Sequence, residues 1–183
     1  MEFFARKPRE NTDKVGITAI VIDDDFDTAS VLSEFLQIKG ISVIGKGYDG
    51  SQAIMMYKKL LPDVVFLDVM MENHDGFYTL EKIRKIEPNA IVILITADLT
   101  EETRKRLLAL DASAIIYKPY DINEVISETN KLVLKLKQEL LEDIAAKKTL
   151  LEELNAILEM RLTKSKIDEI RKIQYFNKKE KLT

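Results

Sequence analysis

Short apolar runs alternate with longer amphipathic stretches through most of the chain. Runs at 17–22, 41–45, 63–67, 91–95 and 113–116 are rich in Val and Ile and read as strands. Helical spacing predicts helices over 27–39, 50–60, 76–86 and 101–110, and another beginning near 121. In the first of these, Ala29, Val31, Leu32, Phe35 and Leu36 form the apolar stripe, and Gly40 stands where a C-terminal cap would end the helix. Alternation of this kind argues for βαβ units around a parallel sheet. The run Ile91-Val92-Ile93-Leu94-Ile95 has no polar alternation, which suits a strand covered on both faces.

The pattern changes after Pro119. No Gly or Pro occurs from Tyr120 to the end, and Asp121-Ile122-Asn123-Glu124 has the form of a capping box. Leu140, Ile144, Leu151, Leu154 and Leu158 follow 4-and-3 spacing, with Lys147 interrupting the seam. Leu141, Leu150, Ile157 and Leu162 widen the stripe beyond a two-stranded seam. The expected organisation is a mobile leader over 1–15, an α/β domain over 16–136 and a helical extension over 137–183, as a coiled coil or a hairpin. A hairpin would break at Thr149-Leu150-Leu151-Glu152 or at Ser165-Lys166-Ile167-Asp168, which both resemble capping boxes, or fold back near Thr163.

Composition narrows the function. With 183 residues and 46% hydrophobic positions, a single domain with an extension can bury a real core. The chain has no Cys, which excludes disulfides, zinc–thiolate sites and thiol catalysis. A net charge of −3 gives no global case for nucleic acid or an anionic membrane. No run of about 18 apolar residues or signal-like start appears, so a cytoplasmic location with no membrane partner is expected. The last stretch is locally basic through Lys164, Lys166, Arg171, Lys172, Lys178, Lys179 and Lys181, which is the ordinary composition of a solvated helix face.

Polar residues end four of the apolar runs. Asp23 and Asp24 follow the first, Asp68 the third, Thr96 the fourth and Lys118 the fifth. In an open parallel sheet, ligands gather outside the carboxyl ends of the strands, so these side chains would meet in one crevice. Three carboxylates suit Mg²⁺, which takes oxygen ligands and keeps several waters. An ionised Asp beside such an ion can attack phosphorus and form an aspartyl-phosphate. A lysine neutralises a phosphoryl oxygen as a point charge. One Asp after an apolar run is usually a helix cap; four such positions in register are not.

The segments Ile20-Val21-Ile22-Asp23-Asp24-Asp25, Leu67-Asp68-Val69-Met70-Met71 with Asp75-Gly76, Ile95-Thr96-Ala97 and Tyr117-Lys118-Pro119-Tyr120 together resemble the receiver domain of two-component response regulators. The resemblance covers about residues 16–136. It implies a flavodoxin-like five-stranded parallel sheet of order 2-1-3-4-5 with helices on both faces. It implies Asp68 as phosphoacceptor, and Mg²⁺ held by Asp23, Asp24, Asp68 and the backbone carbonyl of Met70. It further implies Thr96 as switch hydroxyl, Lys118 as phosphoryl-binding lysine and a cis peptide bond before Pro119. The donor would be a sensor histidine kinase or a phosphotransfer protein. Three positions depart from the family pattern. Ile115 replaces a switch aromatic, Glu72 a frequent Pro, and Asp111 a frequent Gly.

The expected function is a phosphorylation switch, not an enzyme with its own substrate. Its output would pass by protein contacts of the C-terminal helices, with homodimerisation through Leu140, Ile144, Leu151, Leu154 and Leu158. The alternative is a DNA-binding regulator using the basic tail, although the chain lacks a clear helix-turn-helix with a turn Gly. A remote alternative is an aspartyl-phosphate phosphatase with Asp25 as nucleophile. His74, the only histidine, is expected to be an exposed loop residue.

Overall fold

A computed structural model describes residues 16–72, 75–110 and 112–180. The expectations for the 1–15 leader, His74, Asp111 and Lys181 lie outside the described residues.

The chain divides into two units between Leu136 and Lys137. The first holds five strands, β1 (Thr18–Ile22), β2 (Ser42–Gly47), β3 (Val64–Asp68), β4 (Ile91–Thr96) and β5 (Ala114–Tyr117). They alternate with α1 (Phe26–Ile38), α2 (Gly50–Leu60), α3 (Gly76–Ile86) and α4 (Glu101–Ala109), and α5 (Ile122–Glu180) follows. All strand pairs are parallel, in the order β2-β1-β3-β4-β5. This is the doubly wound architecture expected from the alternation.

Strand side chains alternate between two cores because successive Cβ atoms point to opposite faces. Ile20, Ile22, Val65, Leu67, Val92 and Leu94 pack with Tyr57 of α2, Leu80 and Ile83 of α3, and Leu107 of α4. Ala19, Val21, Val64, Phe66, Ile91 and Ile93 pack with Leu32 and Leu36 of α1 and Val125 of α5. Each fully buried Leu, Ile or Phe contributes about 1.5–3 kcal/mol relative to exposure. These two layers fix the central strands, and the strand ends inherit that rigidity.

Local chemistry sets the element bounds. The carboxylates of Asp25, Asp49 and Asp75 cap α1, α2 and α3 by accepting from Thr28 N, Gln52 N and Tyr78 N. Gly40 takes φ +87 just past α1, as its position predicts. Strand β2 runs two residues beyond the expected 45, because Gly45 to Gly47 pair with Ile20 to Ile22 after a register shift between Ala19 and Ile20.

The second unit, from Lys137, is helical through Glu180. The possible breaks at 149–152, 163 and 165–168 do not occur. The hydroxyls of Thr149 and Thr163 donate to the carbonyls of Ala145 and Glu159, four residues earlier, and neither caps a new helix. Leu140, Ile144, Leu151, Leu154 and Leu158 are all exposed in this unit. Among the described residues, no helix is long and apolar enough to cross a membrane.

Candidate functional site

The strand order places β1 and β3 side by side at the point where the chain reverses its winding. A crevice opens there, outside the carboxyl ends of the strands. Asp68 is the last residue of β3 and Thr96 the last of β4, while Asp23 directly follows β1 and Lys118 directly follows β5. Asp23, Asp68 and Thr96 are buried. The Lys118–Pro119 peptide bond is cis.

Lys118 joins the two buried carboxylates. Its Nζ donates to Asp68 Oδ1 at 2.8 Å and to Asp23 Oδ2 at 2.9 Å. Asp68 Oδ2 accepts from the backbone N–H of Met70 at 2.7 Å, and Asp23 Oδ1 from that of Asp25 at 3.0 Å. Burial pushes the Asp68 carboxyl above the ordinary carboxylate range, against the pull of Lys118. Burial also works against the Lys118 ammonium, but donation to Asp23 and Asp68 outweighs it and holds the ammonium above the ordinary lysine value.

Asp24 and Thr96 have other partners. Asp24 is exposed, and its Oδ2 accepts from the backbone N–H of Glu72 at 3.2 Å. Proline in place of Glu72 would have no N–H to give. Thr96 Oγ1 accepts from the backbone N–H of Asp98 at 3.0 Å. A cleft of about 640 Å³ lies beside the buried pair, with Asp24, Met70, Glu72 and Asp98 on its wall.

Among the described residues, no three His, Cys, Asp or Glu side chains converge as a ready metal cage. The donor chemistry still fits a hard divalent cation. Asp23, Asp24 and Asp68 offer oxygen alone, and Mg²⁺ usually takes one or two carboxylates and fills the rest with water. In this structure, Lys118 and the Met70 and Glu72 amides engage those oxygens.

Other candidates fall away from the crevice or change role. Asp25, the nucleophile of the phosphatase alternative, caps α1, and the Thr28 amide holds its carboxyl below the ordinary value. Ile115 pairs with Leu94 and packs against the first core. The pairing of Asp98 with Thr96 was not read from the sequence; an Asp two residues past a strand end carries no signal of which hydroxyl its own amide will meet.

The receiver-domain profile of response regulators matches residues 19–130. The chain belongs to this family, whose members are phosphorylation-activated domains of two-component signalling. It is 34% identical over 117 residues to the probable transcriptional regulatory protein TcrX of Mycobacterium tuberculosis, a match covering 64% of this chain and 50% of that protein. The chain thus aligns with half the length of that relative. It is 28% identical to the chemotaxis protein CheY of Thermotoga maritima, over 64% of this chain and 98% of that one. A CheX–CheY–BeF3–Mg²⁺ complex from Borrelia burgdorferi holds a similar chain, with 30% identity, a TM-score of 0.60, and coverage of 63% of this chain and 88% of that one.

Proposed function

We propose that Asp68 accepts a phosphoryl group from a phosphohistidine of a sensor kinase or phosphotransfer protein. The carrying observation is Lys118 bridging Asp68 and Asp23 at the ends of three strands. A carboxylate oxygen of Asp68 bonds phosphorus as the phosphorus–nitrogen bond of the donor breaks, and the imidazole leaves with that electron pair. Asp23, Asp24, Asp68 and the Met70 carbonyl would hold Mg²⁺, which when bound supplies positive charge to the transferring group. Lys118 then exchanges a carboxylate partner for a phosphoryl oxygen, and the Thr96 hydroxyl donates to another. The Mg²⁺ in the CheX–CheY complex supports this choice of metal.

Output is proposed to pass by protein contacts of the helix from Lys137 onward, including homodimerisation through Leu140, Ile144, Leu151, Leu154 and Leu158. The exposure of all five supports this, since large apolar patches rarely stay bare. The name of TcrX keeps DNA binding as the second reading, to be tested by salt-dependent binding to duplex DNA.

The central test is labelling by a small phosphodonor with Mg²⁺. Wild type incorporates phosphate and Asp68→Asn, which keeps the shape without the nucleophile, does not. Equal labelling of the two chains removes the assignment.

A further inference from the structure

We propose that a second copy of this chain lies parallel and in register along the helix beyond Lys137, with Asp143 of each copy facing Lys148 of the other. The proposal rests on the homodimer reading of that helix and adds its direction and register, which exposure alone does not supply.

The apolar seam has definite ends. Leu140, Ile144, Leu151, Leu154 and Leu158 are exposed at 4-and-3 spacing, and Lys137 and Arg161 stand at the next seam positions before and after them. Written as a heptad, Ile144, Leu151 and Leu158 take position a, and Leu140, Lys147 and Leu154 take position d. The flanks are then Asp143, Leu150 and Ile157 at g, and Leu141, Lys148, Asn155 and Leu162 at e. Nine Leu and Ile side chains of the seam and flanks are exposed. At roughly 100 Å² of apolar surface each, they offer about the 800 Å² per partner that a standard interface buries.

Direction follows from the flanks, because e and g residues set partner orientation. In a parallel pair in register, each g residue faces the partner's e residue five positions further on. Asp143 then meets Lys148, Ile157 meets Leu162 and Leu150 meets Asn155. The first of these contacts joins opposite charges and is made twice by symmetry, and the second is apolar. In an antiparallel pair e faces e and g faces g. With Leu140 set opposite Leu158, Lys148 meets a second Lys148, Asp143 meets Ile157 and Leu141 meets Asn155. A like-charge contact and two mismatches replace the complementary ones.

Lys147 argues for the same direction. It is the one charged residue inside the seam. An antiparallel pair sets each Lys147 against the partner's Leu151 and spoils two seam layers. A parallel pair gathers both lysines into one layer, where their stems cover apolar surface and their ammonium groups reach water at the edge. A parallel slip by one heptad would instead set the lysines against Leu140 and Leu154 in two separate layers. A lone polar seam residue therefore fixes register at some cost in stability.

The test uses the full chain, which has no Cys, so each introduced Cys reports alone. Leu140→Cys and Leu158→Cys are oxidised singly and as a mixture. A disulfide needs Cα atoms within about 7 Å of each other. Parallel pairing links each variant to itself. Antiparallel pairing holds the two Cys of either variant about 27 Å apart; it links only Leu140→Cys to Leu158→Cys, and that result overturns the proposal. Sedimentation of Cys-free chains tests the flanks. Lys148→Glu faces Asp143 with a like charge and is expected to weaken the dimer about threefold or more, and adding Asp143→Lys restores it. An unaffected Lys148→Glu chain, or a double variant as weak as Lys148→Glu alone, removes the Asp143–Lys148 pairing and the proposal with it. A wild type that stays monomeric at high concentration removes the homodimer reading as well; a dimer that cross-links antiparallel removes only the direction and register.

Discussion

The Lys118 ammonium lies 2.8 Å from Asp68, while the same nitrogen reaches Asp23 at 2.9 Å. Removing it leaves two buried carboxylates facing one another with no cation. Lys118→Met is expected to destabilise the chain by about 1–3 kcal/mol at neutral pH. Mg²⁺ should then stabilise the variant more than the wild type, because the ion takes over the same compensation. Thermal melts with and without Mg²⁺ check both parts. Equal melting temperatures in metal-free buffer would show that the bridge carries no net stabilisation.

Gly76 sits against the backbone of the proposed acceptor. A Cβ there would meet the Asp68 carbonyl oxygen at 2.5 Å and Val69 Cα at 2.7 Å, both backbone atoms that cannot rotate aside. The Gly76 N–H also donates to the Val69 carbonyl at 3.0 Å, so the start of α3 is drawn onto the end of β3. Gly76→Ala is expected to cost about 1–3 kcal/mol by overpacking and to slow Asp68 labelling by shifting its main chain. Urea midpoints and labelling rates measured on one preparation test it, and a variant matching wild type in both rejects the close-packing account.

The fold was largely legible because hydrophobic period carries it. All five strands and the first four helices lie within two residues of the sequence expectation at each end. The crevice was legible because Asp23, Asp68, Thr96 and Lys118 stand directly at strand ends, where topology alone brings them together. Pairing within the crevice was not legible. Which acceptor takes Lys118, and that Asp24 turns to Glu72 while Thr96 turns to Asp98, depend on side-chain rotamers and loop paths that no periodicity encodes. The helix from Ile122 was expected, but its passage through Thr149 and Ser165 was left open. Local capping signals were present there, and the absence of Gly and Pro outweighed them.

Glu72 gives a test of how the loop after β3 controls the metal. Its N–H holds Asp24 in this structure. Glu72→Pro deletes that donor, whereas Glu72→Ala retains it. Proline is expected to leave Asp24 more available and to raise Mg²⁺ affinity about two- to tenfold, on the scale of one ordinary hydrogen bond at an exposed site. Alanine is the control and should stay near wild type. Metal titration of the three chains decides the matter; an equal change in the alanine and proline variants would trace the effect to the lost Glu72 side chain and not to its N–H.

The Asp98 carboxyl is held below its ordinary value by the Thr103 hydroxyl, then by the Thr100 amide and hydroxyl. A depressed folded-state value means that ionised Asp98 favours the folded first turn of α4. That contribution is present above the ordinary carboxyl value and is lost as pH falls through the depressed one. Asp24, Glu72, Glu102 and Arg106 share its cleft wall. Carboxyl NMR titration should place Asp98 below a reference aspartate, and Thr103→Val should move it back up. An Asp98 that titrates at the ordinary value in wild type contradicts the bonding.

The helix beyond Lys137 gives the last prediction. Leu151 and Leu158 are exposed, on the stripe that also carries Leu140, Ile144 and Leu154. An uninterrupted helix cannot bury that stripe by folding back on itself, so a second copy is the proposed cover. A seam of this kind is broken by charge, because a buried carboxylate without a partner is strongly disfavoured. Leu151→Glu with Leu158→Glu is expected to convert a wild-type dimer to monomer while Asp68 labelling persists. Sedimentation at several concentrations, with and without beryllium fluoride, reads the change in mass. A wild-type chain that sediments as a monomer at high concentration would remove the homodimer and leave the exposed stripe to a different protein partner.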